Sequence, residues 1–188
     1  MIAQQADDLI LVLNSLKSLE ANISAAGSQI TECLRRGNKV LTAGNGGSAS
    51  DALHLAEELM GKFEQDRAPL AAISLNSDPT LLTCIGNDYG FSSIFSRQVR
   101  GLGKPGDVLI VFTTSGNSVN INQALKECKL VGVISIALLG KAGGISKGLA
   151  DFSIIVPSTT TARIQEAHTL ILHSWISQIE EHLFEFSS

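Results

Sequence analysis

Apolar residues recur along this chain in two alternating rhythms, and the alternation outlines a fold. Over residues 2–25, Leu9, Leu11, Val12, Leu16, Leu19 and Ile23 fall at helical spacing. A second helix is predicted over 28–36, closed by Gly37 at the position where a left-handed residue is favoured. The rhythm then changes. Short apolar runs at 39–42, 70–75, 107–112, 133–138 and 152–156 are bounded by turn residues and predict strands. The run 107–112, Asp-Val-Leu-Ile-Val-Phe, is of the continuous kind found in parallel sheets covered on both faces. Between the strands, helices are predicted over 48–63 with Ser48 as N-cap, then 79–85, 94–102, 118–128 and finally 161–184.

Five strands separated by helices predict an α/β fold, a doubly wound five-stranded parallel sheet with helices on both faces. The leading helices, residues 1–36, are extra to that sandwich and are expected to contribute to an oligomer interface. No repeat, linker or low-complexity tract interrupts the chain, so one domain over 1–188 is expected.

Composition sharpens this in two ways. Hydrophobic residues make up 44% and charged ones 17%, with mean hydropathy +0.22. That surface is under-charged for a monomer and points to burial against another subunit. The net charge of -4 leaves no electrostatic footprint for nucleic acid. An acidic chain that binds phosphate must do so locally, with backbone amides, hydroxyls and helix ends. Cys33, Cys84 and Cys128 are odd in number and in no CxxC pattern, which argues against a disulfide framework or a thiolate metal site. With no signal-peptide pattern and no apolar run of membrane-spanning length, a cytoplasmic protein with no membrane partner is expected.

Two small-residue loops then stand out. Gly44-Asn45-Gly46-Gly47-Ser48 follows the first predicted strand, and Thr113-Thr114-Ser115-Gly116-Asn117-Ser118 follows the third. Ligands of doubly wound sheets bind beyond the carboxyl ends of strands. Glycines admit an anion close to the backbone, and free amides of the next helix favour negative charge. Ordinary capped turns look similar; two such loops at one sheet edge argue for a phosphate cradle. Neither contains GxGxxG or GK[ST], which disfavours a dinucleotide-dependent oxidoreductase.

Titratable groups supply the rest. His54 and Glu58 are four residues apart on a predicted helix, on one face and within reach of a shared ion; spacing leaves Glu57 as an alternative. The competing view is a solvated surface pair. On the last helix, Gln165 and His173 can face one pocket, and His168 lies at another azimuth. A histidine on so apolar a helix also fits a hydrogen-bonded core position.

Together these motifs resemble the phosphoheptose isomerases of the sugar-isomerase (SIS) domain family. The likeness runs nearly end to end. It is carried by Gly44-Asn45-Gly46-Gly47-Ser48 with His54-Leu55-Ala56-Glu57-Glu58-Leu59, then Gly86-Asn87-Asp88-Tyr89-Gly90-Phe91, Thr114-Ser115-Gly116-Asn117-Ser118 and Ala162-Arg163-Ile164-Gln165-Glu166. The resemblance implies a flavodoxin-like SIS domain. It also implies an aldose–ketose isomerase converting sedoheptulose 7-phosphate to D-glycero-D-manno-heptose 7-phosphate through an enediolate, for lipopolysaccharide or other surface-glycan heptose. Glu58 and His173 match its catalytic pair, and His54, Glu58, Gln165 and His173 its ligands for one zinc ion per subunit. Asn45, Gly46, Gly47, Ser48, Glu58, Asn87, Asp88, Thr113, Thr114, Ser115, Ser118 and Gln165 match its substrate contacts. It further implies a homotetramer with active sites at subunit interfaces. Departures are Thr113 for a usual serine, Lys62 for an arginine after Gly61, and the stretches Ala49-Ser50 and Thr159-Thr160-Thr161. The competing readings are a non-catalytic SIS-domain binding protein of the replication-initiator-associating type, and an isomerase or regulator for another sugar phosphate.

Overall fold

The longest continuous apolar run of the chain's strands lies at the centre of the sheet. In a computed structural model, which describes residues 1–184, β3 (Val108–Thr113) is buried throughout. It pairs with β1 (Val40–Gly44) on one side and β4 (Ile134–Leu139) on the other. The short β2 (Ala72–Ser74) and β5 (Phe152–Ile155) form the edges, giving the all-parallel order β2-β1-β3-β4-β5. Register puts Val40 opposite Val108 and Val108 opposite Ile134. The fold is the predicted α/β sandwich.

Because side chains alternate across a strand, the sheet feeds two cores. Val40, Val108, Ile110 and Phe112 point into one, with Leu55, Ile171 and Trp175. Leu41, Ala43, Leu109 and Val111 point into the other, with Phe95, Ile121 and Leu125. The first core is roofed by α2 (Glu20–Arg35), α3 (Gly47–Met60) and α7 (Thr161–Leu183), and the second by α4 (Pro79–Tyr89), α5 (Ser96–Leu102) and α6 (Val119–Val131). Strand order reverses between β1 and β3, so α3 and α6 depart on opposite faces and leave a crevice between their first turns.

Several boundaries differ from expectation, and three of them have a plain physical reason. The N-terminal helical pair breaks at a 3₁₀ turn, Lys17–Leu19, after α1 (Ile2–Leu16), not near residue 26. No glycine or proline marks that bend; it lets α1 and α2 both lie along α7, where Trp175 Nε1 donates to the Ile23 carbonyl at 2.8 Å and Arg163 to that of Gln5 at 2.7 Å. The N-cap of α3 is Gly46 and not Ser48, because Gly46 takes φ 58° and starts the helix earlier; Ser48 is buried inside the first turn. Strand β1 runs on to Gly44, since the pairing with β3 continues through Phe112. Gly37 has φ 77°, as its place after α2 requires.

Candidate active site

Helix α3 starts at the tip of β1 and sets three polar side chains in register. Asp51, His54 and Glu58 rise from successive turns on one side, where α3 crosses α7. His54 Nε2 lies 3.2 Å from Glu58 Oε1 and 3.4 Å from Nε2 of His173. The His54 and His173 rings meet edge to face at 5.0 Å, and Phe63 stacks on His173 at 5.4 Å. Glu57 is exposed, so the backbone resolves the ambiguity in favour of Glu58.

One donor atom from each of His54, Glu58 and His173 lies within 4.8 Å of the others. A tetrahedral ion with ligand bonds of about 2.0–2.1 Å separates its donors by roughly 3.3 Å. The observed 3.2 and 3.4 Å edges therefore suit one small divalent cation. Two imidazole nitrogens at that spacing can share either one proton or one cation. Glu58 is 15% exposed and His54 36%, so the group is reachable from solvent.

Gln165, from the first turns of α7, brings its amide against the start of α3: a side chain at Gly47 would collide with it. One turn on, the Thr169 hydroxyl lies 3.2 Å from both Asp51 Oδ1 and the Gln165 carbonyl. Asp51 escaped the sequence reading, although its spacing to His54 and Glu58 carried the signal. Burial lifts its carboxyl to about 6 against the opposing effects of the Thr169 hydroxyl and the His54 charge, and its Oδ2 is buried without a partner.

His168 does not join the group. It is fully buried beside Phe112, with Nε2 3.1 Å from the Leu139 carbonyl. Burial drives its pKa down to about 4, the carbonyl opposing. It is a neutral core residue, as its separate azimuth foreshadowed.

The loop after β3 forms its own turn. Thr113, buried, accepts from the Gly116 amide at 3.3 Å, and Ser115 Oγ from that of Asn117 at 3.2 Å. Ser118 caps α6 without a side-chain bond, so its hydroxyl remains available, while Thr114 is half-buried beside it. Gly116 has φ 66° and packs against the backbone of Gly143, leaving no space for a side chain. The two loops of the crevice are tied by a reciprocal amide pair, Asn45 with Asn120, at 2.9 Å in both directions. Asn45's side chain is thereby engaged, and Asn120 is another position the sequence reading missed. Asn87 and Asp88 lie exposed on α4 and hydrogen-bond within that helix, apart from the His–Glu–His group.

With this geometry established, comparison with known proteins is decisive. The SIS domain model matches residues 6–140. A phosphoheptose isomerase of Dechloromonas aromatica is 51% identical over 164 residues, covering 86% of this chain and 84% of that protein. One from Campylobacter jejuni is 48% identical over 163 residues, covering 87% and 88%. The solved structure of phosphoheptose isomerase GmhA from Neisseria gonorrhoeae superposes with a TM-score of 0.91 at 39% identity, over 96% of this chain and 97% of that one.

Proposed function

The chain belongs to the SIS-domain family and, within it, to the phosphoheptose isomerases, and from that premise we propose that it interconverts sedoheptulose 7-phosphate and D-glycero-D-manno-heptose 7-phosphate. The observation that carries the reading is the convergence of Glu58 from α3 and His173 from α7, with His54, within 4.8 Å.

Ketose-to-aldose conversion needs a base to take a proton from C1, an acid to protonate the oxygen on C2, and return of a proton to C2 as O1 gives up its own. Glu58 takes the C1 proton as the electron pair moves into the C1–C2 bond. His173 protonates O2 to give the enediol, then takes the proton from O1 as the C1–O1 double bond forms and Glu58 delivers its proton to C2, so both side chains end as they began. His54, Glu58 and His173, with the Gln165 amide as fourth ligand, would hold zinc, which when bound supplies a Lewis acid that favours charge on neighbouring oxygens. The phosphate is bound away from the reacting carbons by Thr113, Thr114, Ser115 and Ser118 and by the free amides of the turn. Gly46, Gly47, Ser48 and the Asn45 backbone face the sugar. Asn87 and Asp88 reach it across a subunit boundary.

The assembly is a homotetramer. Ile2, Ile10 and Leu11 on α1 and Leu170 on α7 are exposed and apolar, which supports burial of residues 1–36 and this face of α7 against another copy. Location is cytoplasmic and the product feeds surface-glycan heptose; among the described residues no helix is long and apolar enough to cross a membrane. The test is purified protein with sedoheptulose 7-phosphate, with and without zinc, following aldose formation. The parent turns over, whereas Glu58→Gln and His173→Ala fold, assemble and lose at least about 100-fold in kcat. Turnover within a few fold of the parent in either variant refutes the assigned roles.

A further inference from the structure

Glu58 stands in the final turn of α3, two residues before its end at Met60. Helix ends carry carbonyls without intrahelical partners and are the first places to fray. The backbone provides two closing bonds, Gly61 to the Glu57 carbonyl at 2.7 Å and Leu70 to that of Leu59 at 2.9 Å, and the last turn contains no basic residue. The Glu58 carbonyl is left to Arg67, seven residues beyond the helix. Its Nη2 donates to the Glu58 carbonyl at 2.7 Å and its Nη1 to that of Leu59 at 3.0 Å and that of Ala68 at 3.2 Å. Nε donates to Glu180 Oε1 at 2.6 Å.

Both partners are withdrawn from water, the Arg67 side chain 0% exposed and that of Glu180 5%. Glu180 follows His173 by two turns of α7 and so projects from the same face. Its other oxygen accepts from the Glu64 amide at 3.4 Å, fixing the loop from which Phe63 stacks on His173. A buried ion pair is a poor way to add stability, since a well-packed apolar pair often does as well. A planar guanidinium that spans two carbonyls of one helix and a carboxylate of another is suited to fixing geometry.

Taking Glu58 and His173 as the working pair, as read above, we propose that Arg67 and Glu180 are positioning residues: their clamp locks the last turn of α3 onto α7 and sets the approach of Glu58 and His54 to His173. Neither touches substrate. They act through the backbone of Glu58 and the seating of Phe63.

Arg67→Lys keeps the charge but cannot span both carbonyls and Glu180; Glu180→Gln keeps the shape but removes the charge. Glu127→Gln, which breaks the Arg100–Glu127 pair between α5 and α6, is the control for general loss of stability. Two readouts are taken on folded, assembled protein: kcat and KM on the heptose phosphate, and affinity of the metal-free protein for zinc by competition with a chromophoric chelator. We expect Arg67→Lys and Glu180→Gln to lower kcat at least about tenfold with KM within about threefold, and to weaken zinc binding by about 10–100-fold. Glu127→Gln should change neither. If Arg67→Lys fails to fold, Glu180→Gln decides. Parent-like kcat and zinc affinity in the folded variants overturn the proposal, whatever their melting temperatures. The zinc measurement needs no sugar, so a parent inactive on heptose phosphate would defeat the isomerase reading and leave the clamp testable.

Discussion

Replacing Gly47 by alanine adds a single methyl group, and the structure specifies where it lands. A Cβ at this position would lie 2.9 Å from both Cδ and Oε1 of Gln165, against the 3.4 Å at which ordinary contact begins, and nearer still to Nε2. Gly47 occupies the first position of α3 and its backbone is already helical, so alanine fits without strain. What yields is the flexible end of Gln165, which must retreat by at least about 0.5 Å and swing to relieve its nitrogen. Stability should therefore stay within about 1 kcal/mol of the parent, helix propensity offsetting the repacking. Function should not. A ligand or substrate amide displaced on that scale costs about 10–100-fold in metal affinity or kcat/KM. The assay is steady-state isomerisation alongside zinc titration and urea unfolding for Gly47→Ala, Gln165→Ala and the double variant. With its target absent, the methyl should cost nothing further, so the two effects are strongly non-additive. Gly47→Ala with kcat/KM and zinc affinity within twofold of the parent would refute the placement of Gln165 in the site.

Three further outcomes are expected. His168 has a folded-state pKa of about 4 against 6.5, so its contribution is present above 6.5 and lost as pH falls toward 4, by up to about 3 kcal/mol. Asp51, raised from 3.8 to about 6, works oppositely, its contribution being lost as pH rises through 6. The check is therefore the difference between parent and His168→Gln in urea unfolding from pH 4 to 8, and parallel curves would contradict it. Ser115→Ala removes a hydroxyl from the proposed phosphate loop and should raise KM by about 10–100-fold with little change in kcat; unaltered KM would exclude a cradle there. Gly116→Ala forces a left-handed residue against the Gly143 backbone and should cost about 1–3 kcal/mol in denaturant unfolding, with unchanged stability as the contrary result.

The sequence made the sheet legible because β3 and β4 are nearly continuous apolar runs and the turns after β1 and β3 are rich in glycine, serine and threonine. It revealed half of the candidate cluster, since His54 and Glu58 lie on one helix at a spacing that predicts contact. The other half was less visible. His54 and His173 are 119 residues apart, and helical periodicity says nothing about which two helices cross. His168 and His173 look alike in sequence; only burial separates a neutral core imidazole from one at a solvent-reachable cluster. Arg67 gave no local signal because its partners are backbone carbonyls and a glutamate on a distant helix. The bend at Lys17–Leu19 lacks any helix breaker and answers to packing on α7.

The reversal of strand order between β1 and β3 has a practical consequence. The His54–Glu58–His173 group is anchored in the layer of α3 and α7, whereas the loop after β3 continues into α6 on the opposite side of the sheet. On the proposed reading, reactivity and phosphate binding thus rest on separate layers, and the Asn45–Asn120 bridge ties them together. A chemist wishing to retarget this catalyst to another phosphorylated sugar should remodel beneath α6 and leave the Trp175 side alone.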